Sequence, residues 1–241
     1  MFQYFLDGIC NLIYPNSCLL CRQYILNDRK DSIICTNCFA QIKFNVPPFC
    51  PKCSRHIASD LKGIRCKECM YRYPAFDFAW AACCYNNTIR ELIHLFKYKQ
   101  KTALRKLFSN LIISFIKEYN LDIAQFNVIV PIPLFSTKLR ERGYNQSLLI
   151  AKILSDQFKI PVLDNNLVRV KNTKSQSLLD RKERWTNIKG AFKIKNPLIF
   201  SDKRILLIDD LLTTGATTSE AANVLKDNGA EIVGVLTLAV T

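Results

Sequence analysis

Four Cys-x-x-Cys pairs lie in the first third of this 241-residue chain, and they constrain its fold more than any other feature. The pairs are Cys18/Cys21, Cys35/Cys38, Cys50/Cys53 and Cys66/Cys69. Two thiolates separated by two residues reach one ion from a single tight turn, and two such pairs complete a closed tetrahedral site. The spacing therefore predicts about two structural metal sites.

Zinc is the metal that a set of four thiolates favours. Sequential pairing of the cysteine pairs is the simplest arrangement, and interleaved pairing stays open. His56 is an alternative ligand, although the cysteine set is complete without it. Redox motifs of the thioredoxin type are a competing interpretation, but such motifs sit between a strand and a helix, and these pairs do not. Because so short a segment has little apolar core of its own, zinc should supply folding free energy.

A second informative segment lies near the C-terminus, over residues 205–218. An apolar run leads into Asp209 and Asp210, and the turn Thr213, Thr214, Gly215, Ala216 and Thr217 then opens a helix. Carboxylates suit ribose hydroxyls, and backbone amides at a helix N-terminus suit a phosphate. A P-loop nucleotidase also carries acidic residues after an apolar strand, but its Gly-x-x-x-x-Gly-Lys-Ser/Thr loop is absent from this sequence. The segment therefore predicts a sugar-phosphate site.

After Pro74, short apolar segments typical of strands alternate with longer segments that have the apolar spacing of a helix. Strands are expected at 75–84, 126–130, 161–163, 167–170, 204–208 and 232–238, and helices at 88–119, with a break at 97–101, at 146–158 and at 219–228. This alternation predicts an α/β domain with a mainly parallel sheet flanked by helices. We expect two domains: an N-terminal helix with a small double cysteine ribbon over residues 1–74, and the α/β domain over 75–241.

Together these motifs resemble the ComF/GntX family, whose members combine an N-terminal double zinc ribbon with a type I phosphoribosyltransferase domain. The resemblance rests on the ribbon and the 205–218 segment, and also on Val130–Leu134, Arg140–Gln146 and the His94–Lys99 run. It implies that Asp209 and Asp210 contact the ribose hydroxyls of phosphoribosyl pyrophosphate (PRPP), and that residues 213–217 hold its 5′-phosphate. It also implies Mg²⁺ as a cofactor, with a pyrophosphate-binding loop that carries Lys138, Arg140 and Arg142.

The same resemblance implies a role in natural competence, in which incoming single-stranded DNA is handled together with other proteins of the competence machinery. A metabolic phosphoribosyltransferase with an unknown nitrogen acceptor is the alternative. No residue stands out as a general base for an acceptor, so the sequence leaves open whether the chain is an enzyme. The polar segment 171–184 is expected to be a mobile lid or, alternatively, a solvated linker.

The formal net charge of +14 favours a polyanionic partner, although a lysine-rich surface also serves solubility. Cations interleaved with aromatic residues suit single-stranded DNA, because they neutralise its backbone and stack on its bases, and cations are concentrated in two places. The candidates are Lys97, Tyr98, Lys99 and Lys101 in one segment and Lys62, Arg65 and Lys67 in the other.

The sequence shows no apolar run of the roughly 18–20 residues that a membrane span needs. The apolar N-terminus lacks the basic region and cleavage site of a signal peptide, and its periodicity predicts a packing helix instead. We therefore expect a cytoplasmic protein.

Overall fold

A sheet of four parallel strands forms the centre of the structure, a computed structural model that describes residues 17–25, 32–59, 63–173 and 180–241. The strands are β1 (Phe78–Cys84), β2 (Val128–Pro131), β3 (Leu167–Arg169), β4 (Phe192–Ile194), β5 (Arg204–Leu212) and β6 (Ile232–Val240). The order in the main sheet is β1-β6-β5-β2, while β3 and β4 form a separate antiparallel pair. The predicted parallel α/β architecture is confirmed.

The strands differ from the sequence prediction in three main respects, besides small shifts at their ends. Strand β4 was not expected, since it is only three residues long and pairs with the equally short β3. Strand β5 continues four residues beyond Ile208, because β6 pairs with it as far as Leu212 opposite Val240. The strand expected at 161–163 is reduced to one parallel bridge between Val162 and Ile129. The extension of β5 places Asp209 and Asp210 inside the strand, near its carboxyl end.

Eight α-helices lie in the described ranges. They are α1 (Thr36–Ala40), α2 (Lys67–Arg72), α3 (Asn87–Tyr98), α4 (Leu104–Glu118), α5 (Ser136–Arg142), α6 (Gln146–Phe158), α7 (Arg181–Ile188) and α8 (Ala216–Asp227). The predicted break between α3 and α4 is confirmed. The loop expected to carry Lys138, Arg140 and Arg142 is instead helix α5, so that prediction was wrong in its local structure. None of these helices has the length and apolarity that a membrane span requires. The helix predicted at the N-terminus lies outside the described residues.

Apolar side chains cover both faces of β5 and divide the core into two layers. Leu206 and Ile208 pack with α3, α4 and α6 on one face. Ile205 and Leu207 pack with α8 and β4 on the other. A strand buried on both faces is typical of a parallel sheet whose crossover helices cover it, and it explains the continuous apolar run at 205–208.

The cysteine-rich region packs directly on the edge of the sheet. Residues 43–45 run antiparallel to β1, with the Asn45 amide donating to Ala82 O (2.9 Å) and the Cys84 amide to Lys43 O (2.9 Å). The buried Asn45 side chain donates to Ser54 O (2.7 Å) and Ala81 O (3.1 Å). These contacts cross the predicted boundary at residue 74, and the division into two domains stays a prediction.

Gly234 in β6 lies against an aromatic cluster made by Phe78, Trp80 and Phe126. A Cβ at Gly234 would lie 2.6 Å from the Phe126 ring and 3.1 Å from the Phe78 ring. We expect Gly234→Ala to lower the free energy of unfolding by about 1–3 kcal/mol, because the ring has to move within a close-packed core.

Chemical denaturation of the single variants and of the double variant with Phe126→Leu checks this cause. Since the smaller side chain frees space for the new methyl group, the double variant should lose less stability than the sum of the single losses. Strict additivity of the two losses would contradict the steric explanation.

Candidate functional site

A glycine turn connects the carboxyl end of β5 to helix α8. Gly215 is the N-cap of α8 and has φ +77°, a conformation that only glycine adopts without strain. The Ser219 amide and the Thr218 hydroxyl donate to Gly215 O, at 2.8 and 3.1 Å. The first amides of this helix have no partner within it, so they are available to an anion beside the turn. The turn expected at residues 213–217 is therefore present.

Asp209 and Asp210 differ in their surroundings although they are neighbours in β5. Asp210 is 4% exposed, and its carboxylate oxygens lie 2.7–2.8 Å from the Lys97 ammonium. Asp209 Oδ1 accepts hydrogen bonds from the Asp210 amide (2.9 Å) and from the Ser147 hydroxyl (3.3 Å). The pair therefore combines one charge-compensated carboxylate with one held by neutral donors.

Burial raises the pKa of Asp209 to about 7 from its usual 3.8, and the negative charge of Asp210 acts in the same direction. Lys97 and the hydrogen bonds from the Asp210 amide and Ser147 oppose this shift only in part. A carboxyl group that gains or loses a proton near neutral pH can accept a hydrogen bond from a ligand hydroxyl once it is ionised.

Further cations approach the carboxylates from β3 and α5. Arg169 in β3 is half-buried, and its partial desolvation lowers its pKa, while the charge of Asp209 opposes that shift. The Lys138 ammonium donates to Thr173 O (2.9 Å), and burial, then Arg169 and Arg142, lower its pKa. Arg142 donates to the Gln146 side chain (2.5 Å). Lys138 and Arg142 thus belong to one cationic group with Arg169, whereas Arg140 is exposed on the same helix.

Three of these contacts were not expected from the sequence. Lys97 was predicted for a DNA surface, but its ammonium is engaged by Asp210, so the structure places it in this site. Arg169 is the only charged residue of the predicted strand 167–170, and a single charge within an apolar strand is the sequence signal that marks it. Ser147 follows Asn145, whose side chain caps α6 through the Ser147 amide (3.0 Å), and only the fold brings it to Asp209.

The eight paired cysteines form two clusters with sequential pairing. Cys18, Cys21, Cys35 and Cys38 are one set, Cys50, Cys53, Cys66 and Cys69 are the other, and the sulfur atoms within each set lie within 4.8 Å of one another. Four thiolates at such distances suit a tetrahedral zinc ion. His56 is in neither set, and its Nδ1 lies 2.9 Å from Val46 O. The prediction of two zinc sites with sequential pairs is confirmed, and interleaving is excluded.

The clusters lie on opposite sides of the sheet. Cys18 and Cys38 pack with the core that contains α3 and α4, whereas Cys50, Cys53 and Cys69 pack with the core that contains α8. The second cluster is therefore the one beside the Thr213–Thr217 turn. Of the unpaired cysteines, Cys83 is fully buried in β1 and Cys84 is half-buried.

The sequence matches two known families in the order that the structure shows. Residues 9–70 match the family described as Double zinc ribbon domain, and residues 144–240 match the family described as Phosphoribosyl transferase domain. The chain is 31% identical over 213 residues to "Competence protein F" of Haemophilus influenzae, across 86% of this chain and 90% of that protein.

The chain belongs to the ComF family. "Competence protein ComFC" of Bacillus subtilis is 30% identical, across 92% of each chain. "DNA utilization protein YhgH" of Escherichia coli K12 is 26% identical, across 93% of this chain and 96% of that protein. As a ComF-family member, the chain joins a double zinc ribbon to a phosphoribosyltransferase-type α/β domain, and the carboxylates, the glycine turn and the cations occupy the carboxyl end of β5 in that domain.

We expect Asp209→Asn to make this ComF-family protein more stable above about pH 7. The raised pKa means that folded Asp209 still holds a proton between about pH 4 and pH 7, where the unfolded chain has released it, so stability falls as pH rises through that range. Asparagine removes this loss, and its advantage should vanish below about pH 4.

Thermal unfolding across this pH range measures the effect. Asp156→Asn, at an exposed position of α6, is the control and should leave the pH profile unchanged. A lower midpoint for Asp209→Asn than for the wild type at about pH 8 would contradict the assignment.

Proposed function

We propose that this protein binds PRPP at the carboxyl end of β5 and acts in natural competence. The observation that carries the proposal is the glycine turn that follows Asp209 and Asp210. This turn joins the end of β5 to α8, so the two carboxylates and the N-terminus of the helix lie close together in the chain. That spacing suits one ligand with vicinal hydroxyls and a phosphate on the same sugar. In this proposal the carboxylates accept from the ribose hydroxyls, and the amides of residues 213–217 donate to the 5′-phosphate.

The pyrophosphate group of PRPP would lie among Lys138, Arg142 and Arg169, since an arginine fork and an ammonium both suit phosphate oxygens. Mg²⁺ would neutralise the same group when bound, and carboxylate oxygens are ligands that Mg²⁺ accepts. The segment after β3 that contains Lys171 is the proposed lid. The Lys171 ammonium, at the start of this 171–184 segment, donates to Lys189 O beyond its end (2.8 Å), while residues 174–179 lie outside the described part.

Asp210→Asn should weaken binding of PRPP with Mg²⁺ about ten- to a hundredfold, the usual loss for one hydrogen bond to a charged group. Calorimetry with the zinc-loaded protein measures the dissociation constant. Asp227→Asn is the matched control, because Asp227 is an exposed carboxylate at the opposite end of α8. Unchanged affinity in Asp210→Asn, or an equal loss in the control, would count against the site.

Release of pyrophosphate decides between two forms of the proposal. A metabolic phosphoribosyltransferase would release pyrophosphate when a suitable nitrogen acceptor is added, whereas a protein that uses PRPP only as a ligand would not. Nucleobases and single-stranded DNA are the acceptors to test, because the proposal combines a sugar-phosphate site with a basic aromatic surface.

Single-stranded DNA binding is proposed as a second function on a separate observation. A cavity of about 340 Å³ lies between α2, α7 and the glycine turn, a volume at the small end of the range for ligand pockets. The Arg72 guanidinium carbon lies 5.9 Å from the ring centres of both Tyr71 and Trp185. Tyr71 is 85% exposed, and Lys67 is exposed on the same helix. Cations beside open aromatic rings suit a nucleic-acid strand with splayed bases.

The residues predicted for DNA fall in different places. Lys67 lines the cavity just described, and Arg65, two residues before it, lies over the Tyr73 ring (5.8 Å), so both are kept in the proposal. Tyr98, Lys99 and Lys101 are exposed at the end of α3 and beyond, where Tyr98 contacts Arg142 (5.4 Å). Lys62 lies outside the described residues.

Trp185→Ala should weaken binding of a thymidine oligonucleotide about five- to a hundredfold, since one stacked base contributes roughly 1–3 kcal/mol. PRPP affinity should stay unchanged. The only other tryptophan is Trp80, so Trp80→Phe is the control, and in that variant oligonucleotide binding should still quench the fluorescence of Trp185. Full affinity in Trp185→Ala or unquenched Trp185 would place the DNA elsewhere.

A further inference from the structure

Arg55 joins the second cysteine cluster to the glycine turn. It follows Cys53 by two residues, and its side chain is only 18% exposed. On the ribbon side, its Nη1 donates to Cys53 Sγ (3.5 Å) and pairs with Glu68 Oε2 (3.0 Å). On the side of the α/β domain, its Nε donates to Thr241 O (2.6 Å) and its Nη2 donates to Thr213 O. One planar guanidinium thus contacts four acceptors, two in the ribbon and two in the α/β domain.

The contact with Thr213 bears directly on the proposed phosphate cradle. Thr213 O belongs to the same peptide unit as the Thr214 N–H, and in a planar trans peptide the two groups point in opposite directions. When Arg55 fixes the carbonyl on the ribbon side, the Thr214 amide is directed away from the ribbon. Arg55 therefore sets the direction of the Thr214 amide of the cradle without touching the ligand.

The ribbon side of Arg55 depends on the second cluster. A zinc ion with four thiolates carries a formal charge of about −2, which favours a guanidinium beside it. Without the metal, a short ribbon loses much of its folding free energy. Arg55 would then keep its acceptors on the α/β domain but lose the fixed frame on the ribbon.

We propose that zinc in the second cluster positions the Thr213–Thr214 peptide through Arg55, so that zinc binding there and PRPP binding stabilise each other. This proposal rests on the proposed PRPP site. The first cluster packs on the opposite face of the sheet, so its zinc is not part of the coupling. Arg55 is a positioning residue, and its effect has to be reciprocal. Bound PRPP should raise the affinity for the second zinc ion by the same factor by which that zinc ion raises the affinity for PRPP.

The rate of zinc release to a chelating indicator tests the reciprocity, first in the wild-type protein and then in Arg55→Gln. Saturating PRPP with Mg²⁺ should slow release of one of the two zinc ions about tenfold and leave the other unchanged. In Arg55→Gln, which should still load two zinc ions, PRPP should slow neither. Equal release with and without PRPP in a wild-type protein that binds PRPP would overturn the coupling.

Affinities from calorimetry provide the second arm. Arg55→Gln and Cys66→Ser should each weaken PRPP binding about tenfold, and the double variant should be no weaker than either, because both changes break one connection. Cys21→Ser, an exposed ligand of the first cluster, is the matched control and should keep full PRPP affinity with one zinc site impaired. Additive losses, or an equal loss in Cys21→Ser, would show that the ribbon acts only through general stability.

Hydrogen exchange of residues 213–217 separates failure of the coupling from failure of the PRPP proposal. Removal of the second zinc ion should speed exchange of these amides in the wild type, and Arg55→Gln should show the faster rate already with zinc bound. If zinc-loaded wild type does not bind PRPP, the proposed function fails, while this measurement still decides whether Arg55 connects the cluster to the turn. Exchange rates of these amides that change neither on removal of zinc nor in Arg55→Gln would overturn the inference.

Discussion

The parallel hydrogen-bond ladders that hold β5 between β2 and β6 are the constraint on which the rest of the structure depends. Because both faces of β5 are buried, a shift of the strand in register would take four apolar side chains out of their close-packed positions. This fixed strand delivers Asp209, Asp210 and the glycine turn to one edge of the sheet. The partners of the carboxylates arrive at the same edge from α3, α6 and β3, which come from distant parts of the sequence.

The site keeps two carboxylates in a region with little access to water, and that is unfavourable for folding. Lys97 pairs directly with Asp210, whereas Asp209 has only neutral hydrogen-bond donors and the more distant charges of Lys97 and Arg169. The raised pKa of Asp209 is the physical sign of this incomplete compensation. Functional sites often retain such unfavourable arrangements because a ligand supplies the missing partners. In the proposed function, ribose hydroxyls would supply donors to Asp209.

The ribbon is bound to the α/β domain by specific polar contacts as well as by packing. Asn45 and Ser54 satisfy the open edge of β1, and Arg55 connects the second cluster to Thr213 and Thr241. Such contacts give a small cysteine-rich segment two roles, since it covers an exposed strand edge and it orients a loop of the neighbouring domain. The position of the cavity with Trp185 and Arg72, between ribbon and glycine turn, follows from the same docking.

The sequence by itself determined the features that depend on neighbouring residues: the cysteine pairs at a metal-binding spacing, the apolar run of β5, the glycine turn that opens α8, and the break between α3 and α4. Each of these follows from local geometry or from a repeating pattern of side chains. Only the tertiary structure decided which cysteine pairs share an ion, that the Lys97 ammonium pairs with Asp210, and that Arg55 reaches Thr213. These contacts join residues that are far apart in the chain, and no local pattern encodes them, because they arise only when the sheet brings its strand ends together.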